Sequence, residues 1–296
     1  MKITLLGTGA ALIDPDRAHT AIAVQIDEKT YLLDIGTGAT RNMIAANIDP
    51  LSVEALFLTH LHFDHVADLP VFVIGSWMSG RKGAPVIYGP QGTQSMVDNL
   101  FQGGAFDVDI RARAQYAQRQ GNLEVLRPDV RPLSSGLAFE NEQVKVTAMP
   151  VEHIPPDICG CFGLKLESGG KTLVFSSDTK ALPQMVDFAR NADLLIHEAT
   201  FPEAAIAFRA SNGIGTFSHT SPRELGRIAR DAGVKHLIAT HIGHWDSTNP
   251  IVKRLAAQHM PVEIMGPQLI DQVIADIREA YSGPLQIARD LMSISL

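Results

Sequence analysis

Thr59-His60-Leu61-His62-Phe63-Asp64-His65 is the stretch on which the fold turns. Four metal-capable side chains fall within six residues, directly after an apolar run at 55–59 that reads as a strand. A strand turns alternate residues to one face, so His60 and His62 can point the same way as the chain leaves the sheet. A helix beginning near Asp64 would bring Asp64 and His65 to a second position close by. Such a segment can supply ligands to two metal ions, whereas a solvated histidine-rich turn has no need of this spacing. Further candidates follow other strand-like runs: His153 after 144–151, Asp178 after 172–177 and His241 after 237–240. Open α/β architectures place ligands at the carboxyl ends of strands, so these three arrive where one shared cluster could form.

Outward from the motif, short β-branched or apolar runs at 3–6, 21–26 and 31–35 are bounded by Gly, Asp or Pro, the punctuation of strands. Helices are expected at 40–47, 66–78, 93–101 and 108–118, with the segment 66–122 building over the metal site. A second strand-rich stretch covers 123–126, 144–149, 162–166 and 172–176. Helix and strand then alternate: helix 181–190, strand 194–196, helix 222–231, strand 237–240, helix 268–281 and a final strand near 285–294. Ser221-Pro222 with Glu224 is a capping-box start, and Gly233 fits the end of that helix. Two mixed sheets packed face to face with helices outside satisfy this pattern. No Pro- or Ser-rich linker interrupts it, so residues 1–296 are expected to form a single domain.

Composition removes several classes. With 25 Lys plus Arg against 32 Asp plus Glu, the formal charge is −7, which argues against gripping nucleic acid by overall basicity. No stretch approaches the roughly 18 apolar residues of a membrane span. The opening MKITLLGTGA turns into Gly7-Thr8-Gly9 rather than a cleavage site and reads as a first strand, which points to the cytoplasm. Cys159 and Cys161 are too close for an ordinary loop-closing bridge and are expected to be reduced thiols.

His60-Leu-His62-Phe-Asp64-His65, followed in order by His153, Asp178 and His241, resembles the metallo-β-lactamase superfamily of two-metal hydrolases over nearly the whole chain. Finer features are similar to its ribonuclease Z and arylsulfatase-like branch: Leu32-Leu33-Asp34-Ile35-Gly36, His197-Glu198-Ala199-Thr200-Phe201 and Ser218-His219-Thr220-Ser221. The resemblance implies an α/β fold, a four-layer αββα sandwich. It implies that His60, His62 and His153 hold one ion, that Asp64, His65 and His241 hold the other, and that Asp178 bridges them. Histidine at position 62 favours hydrolysis, because the di-iron oxidoreductase branch carries Glu there. Imidazole and carboxylate donors without thiolate suit two Zn2+ per chain, though Mn2+ or Fe2+ would be accepted.

Two such ions can share a hydroxide at neutral pH, which would attack an ester centre. The resemblance assigns catalysis to Asp64, His219 and Glu198, with His219 protonating the leaving group and Glu198 orienting it. Asp34 is expected to accept a hydrogen bond from a ligand histidine. The expected activity is zinc-dependent hydrolysis of a small ester, a phosphodiester or sulfate ester. The alternatives are tRNA 3′ processing and carboxylic-ester or lactone hydrolysis at the same site. Only residues 154–177 separate His153 from Asp178, too few for the extended arm of tRNA-processing members, so a small anionic or ester substrate is expected ahead of nucleic acid. No membrane partner is expected; a homodimer is. His244, Trp245 and Asp246 are placed to touch a leaving group. Trp77, Phe101, Phe106 and Tyr116 are expected to be core more than pocket, and Arg81 and Lys82 a solvated loop.

Overall fold

Alternation of β-branched and apolar residues along the first 60 positions produces a meander whose two faces are both covered. The computed structural model describes residues 1–215 and 218–296. β1 (Lys2–Gly7), β2 (Ala21–Ile26) and β3 (Lys29–Leu33) pair antiparallel, and β4 (Val53–Phe57), β5 (Val86–Gly89) and β6 (Asp129–Pro132) continue the sheet in parallel. The second sheet repeats that plan. β7 (Gly136–Glu140), β8 (Lys145–Val151), β9 (Cys161–Ser168) and β10 (Lys171–Phe175) are antiparallel; β11 (Leu194–Glu198), β12 (Leu237–Thr240) and β13 (Leu285–Ile287) add in parallel. β14 (Ser293–Ser295) then crosses back to pair with β1 at the edge of the first sheet.

The inner faces meet in an apolar layer in which Leu5, Tyr31 and Phe57 of one sheet pack with Val146, Leu164, Phe175 and Ile196 of the other. The helices are α1 (Ala39–Ala45), α2 (Phe63–Val66), α3 (Leu69–Met78), α4 (Thr93–Phe101), α5 (Asp107–Arg113), α6 (Pro183–Phe188), α7 (Glu203–Ser211), α8 (Pro222–Ala232), α9 (Pro250–Ala256) and α10 (Gln268–Arg278). α1, α3 and α4 cover the outer face of the first sheet, burying Met43, Phe72, Trp77 and Phe101. α6, α8 and α10 cover the second through Met185, Leu225, Ala229 and Val273. The result is the αββα sandwich. No described helix is long and apolar enough to cross a membrane.

Three expectations are corrected. Residues 123–126 are not a strand but the end of a 3-10 segment, Ala117–Leu126, whose Val125 and Leu126 dock among the α3 side chains. The stretch 285–294 is two strands in different sheets. The helices of 66–122 do not build over the metal-capable cluster: α3 and α4 back the first sheet, with Trp77 and Phe101 in its core. Their apolar faces match the sheet's outer face, which would otherwise lie open. Arg81 hydrogen-bonds the Val53 carbonyl at 2.8 Å and so fastens a loop.

Candidate active site

Parallel strands that end together leave their last residues on one rim, and four of them here turn through a left-handed or extended kink to aim side chains inward. Asp34 follows β3, Ser177 follows β10 and His241 follows β12, with φ of 59°, 58° and 56°. Non-glycine residues held there cost roughly 1 kcal/mol or more each, and they collect where the backbone must change direction abruptly to present a group. β4 runs on into Thr59 and His60, and α2 opens at Phe63, so His62 precedes the helix and Asp64 and His65 lie on its first turn. Gly36 makes room for that turn: a Cβ there would fall 2.2 Å from the Asp64 carbonyl oxygen.

All seven metal-capable side chains come together in two adjoining groups. His60 Nε2 lies 3.2 Å from His62 Nδ1, which lies 2.9 Å from His153 Nε2, and His153 Nε2 is 3.6 Å from Asp178 Oδ2. In the second group His241 Nε2 is 3.4 Å from His65 Nε2 and 3.3 Å from Asp64 Oδ2. Asp178 Oδ2 also stands 3.1 Å from His241 Nε2 and 3.5 Å from His65 Nε2, so one carboxylate oxygen borders both groups. Donor atoms bound at about 2.0–2.1 Å around a tetrahedral ion are separated by about 3.3–3.4 Å. The observed spacings bracket that value, and each group has one ion's worth of converging donors. The donor set and the geometry therefore fit two divalent cations.

The far nitrogen of each buried imidazole is tied down. His65 Nδ1 donates to Asp34 Oδ2 at 2.8 Å, while Asp34 also accepts from the Thr59 amide and hydroxyl, both at 2.8 Å. His241 Nδ1 donates to Thr200 Oγ1 at 2.8 Å, and His153 Nδ1 to the Ser218 carbonyl at 3.1 Å. These bonds fix the tautomers so that Nε2 lone pairs face the cluster. Asp34 thus lies where the sequence places it.

Beside the cluster, His219 Nδ1 donates to Glu198 Oε1 at 2.9 Å. The buried Glu198 carboxylate also accepts from the Thr179 amide at 2.9 Å and the Thr200 hydroxyl at 2.7 Å. Burial works against charge on His219, but the Glu198 carboxylate beside it prevails and the imidazole is pushed up to about 9. Glu198 is correspondingly held below the usual carboxylate range, against its own burial. Glu198 is buried and His219 partly so, and the hydrogen-bonded imidazole borders the same cavity as Asp64, Asp178 and His241.

That cavity has a volume of about 290 Å3. His244 lines it, whereas Trp245 is fully buried in the core and Asp246 pairs with Arg17 at 2.7 Å. Phe201, Arg209 and His259 form another part of its wall; Phe201 belongs to the quoted 197–201 motif, whereas Arg209 and His259 carried no signal in the sequence, because they meet only through the placement of α7 beside the segment after α9. The two cysteines are buried free thiols that are not members of the donor groups. Between His153 and Asp178 the chain makes one loop and the β9–β10 hairpin, with no projecting arm.

A family model described as "Anti-Pycsar protein Apyc1" matches residues 1–210. A ribonuclease Z of Mycolicibacterium paratuberculosis is 30% identical over 246 residues, covering 81% of this chain and 85% of that one. Among solved structures, the metallo-β-lactamase fold protein YhfI of Bacillus subtilis superposes with a TM-score of 0.69 at 19% identity, over 99% of both chains. The short form of human tRNase Z gives 0.67 at 22% identity, over 100% of this chain and 99% of that one. With the αββα sandwich and the histidine-aspartate cluster at its rim, these matches establish that the chain belongs to the metallo-β-lactamase superfamily, in its ribonuclease Z-like branch and the family of the Apyc1 model.

Proposed function

We propose that this chain is a two-metal hydrolase of phosphodiesters. In this reading His60, His62 and His153 would hold one ion, Asp64, His65 and His241 the other, and Asp178 would be shared. The observation that carries this reading is the run of 2.9 to 3.7 Å separations among the donor atoms, with the far nitrogens of His65, His153 and His241 already committed. Imidazole and carboxylate donors without thiolate favour zinc, with manganese or iron as substitutes. Such a pair of ions would supply, when bound, an acidified water and positive charge against the phosphoryl oxygens.

The chain's own residues do the rest. Asp34, Thr200 and Ser218 hold three imidazoles in the donor tautomer, and Asp64 presents a carboxylate to the cavity. His219, charged through Glu198, gives its Nε2 proton to the departing oxygen as the phosphorus–oxygen bond breaks. A protonated imidazole is what an alkoxide leaving group requires, and a phenolate requires it far less.

On substrate, the names of the relatives support tRNA 3′ processing. A second reading, a small phosphodiester, is favoured by a specific observation: 154–177 fold into a loop and a hairpin, leaving no arm to grip a tRNA body. The homodimer belongs to this reading too, and light scattering on the purified protein tests it.

Elemental analysis of the protein as purified, followed by assay on a precursor tRNA and a panel of diesters, sulfate esters and lactones, decides. About two ions per chain and turnover of phosphodiesters are expected. Hydrolysis of sulfate esters or lactones alone, or fewer than one ion, overturns the proposal. Precursor-tRNA cleavage at a kcat/KM far above that of small diesters selects the RNA reading, and the reverse selects the small substrate.

A further inference from the structure

Arg209 is a half-buried cation on the cavity wall, held in place by uncharged partners. Its guanidinium lies 4.4 Å over the Phe201 ring, Nη1 donates to His259 Nδ1 at 3.1 Å, and Nη2 donates to the Gly215 carbonyl at 2.6 Å. Among the described residues neither hydrogen-bond partner is a carboxylate, and the Nε–H is buried with no partner. Guanidinium carries five N–H donors, so these two bonds leave donors uncommitted. A charge taken partly out of water normally meets a counter-charge, and its absence leaves the site incomplete without an anion. His244, only 8% exposed and lining the same cavity, likewise has a buried Nδ1 with no partner.

Position says which part of a substrate meets this group. The Phe201 and His219 rings meet nearly at right angles with centroids 5.3 Å apart, and the face of Phe201 carries Arg209. The proton donor and this cation, which has no carboxylate partner among the described residues, therefore flank one aromatic ring. The half of the substrate that leaves with the His219 proton lies on the Arg209 side.

We propose that Arg209, fixed by His259 and Phe201 and flanked by His244, binds a second phosphate carried on the leaving-group half of the substrate. This rests on the phosphodiesterase reading and narrows it to nucleotide-like diesters with a further phosphate next to the scissile one. A guanidinium fork suits phosphate oxygens in a way that a point charge does not.

The test compares the zinc-loaded enzyme on two dinucleotides, UpU and its 5′-phosphorylated form pUpU. In both, the oxygen of water bonds to phosphorus, the P–O3′ bond breaks and the departing 3′-oxygen takes the proton; in pUpU the extra phosphate rides on that departing half. Wild type is expected to prefer pUpU through a lower KM. Arg209→Gln should reduce that preference about tenfold or more, and Arg209→Lys should keep part of it. Circular dichroism of both variants checks that they fold. Equal KM values for the two substrates in wild type, or equal losses on both in Arg209→Gln, overturn the assignment. The second result would point to a base or to the scissile phosphate instead. Cleavage of bis(p-nitrophenyl) phosphate without cleavage of either dinucleotide also overturns it alone. Cleavage of none of the three overturns the phosphodiesterase reading and this inference with it.

Discussion

Glu198 sets the charge of His219 across a 2.9 Å hydrogen bond, and that contact makes the proton supply titratable from outside. His219 is raised to about 9 from an ordinary 6.5, so the donor form is full at neutral pH and is lost as pH rises through about 9. With a poor leaving group, kcat should fall on that alkaline limb. Glu198→Gln removes the charge that offsets burial, which moves the limb to lower pH; pH–rate profiles of the two proteins check this. His219→Ala should cost on the order of 100-fold or more on alkyl esters and much less on p-nitrophenyl esters, the range of general acid catalysis. Equal losses on both ester types would remove the proton-donor role. Much of this chemistry was readable from sequence because the ligands of the first motif are neighbours along the chain, and Asp178 and His241 each lie just past an apolar strand. Arg209 was not readable: its meaning depends on Phe201, eight positions earlier in the loop before α7, and on His259, fifty positions later.

At the scale of elements, α8 connects the proton donor to the outer layer. Ser221 accepts from the Glu224 amide and Glu224 returns a bond to the Ser221 amide, so the helix start two residues after His219 is locked at both ends of the box. Ser221→Ala should cost about 1 kcal/mol in urea denaturation. Further along, Gly226 lets α8 lie directly on α10, since a Cβ would fall 2.3 Å from the Ile277 carbonyl oxygen. That neighbour is backbone and cannot swing aside, so Gly226→Ala should cost more than the cap, about 1–3 kcal/mol. The reverse order of the two losses would show that the helices separate easily. The cap and Gly233 were legible because local chemistry dictates them, as were β2 and α4, whose bounds the apolar pattern marks correctly. The run 123–126 misled for the converse reason. Leu123, Val125 and Leu126 look like a strand, but Val125 and Leu126 are drawn into the apolar layer around α3.

For the whole molecule, the division between what holds the fold and what does the chemistry predicts the response to metal removal. The three apolar layers lie between and outside the sheets, whereas the metal-capable cluster sits on the rim where the strands end. The cluster also has a way to stay paired without cations. Burial opposes charge on His65, yet Asp178 and Asp34 hold it well above the ordinary imidazole value, so it can accept a proton and neutralise the acidic donors. A small domain folded by its zinc has no such core and unfolds when chelated. This chain should instead lose activity in chelator while keeping its far-UV circular dichroism spectrum. Its Tm should fall by an amount that grows with the affinity and concentration of the ion withdrawn, because binding to the native state alone contributes RT ln(1 + [L]/Kd). Adding Zn2+ should restore both activity and Tm. Unfolding on chelation at a temperature where the loaded protein is stable would make the ions part of the scaffold. The rim cluster would then be a structural staple, and the catalytic assignment of Asp64, His219 and Glu198 would lose its foundation.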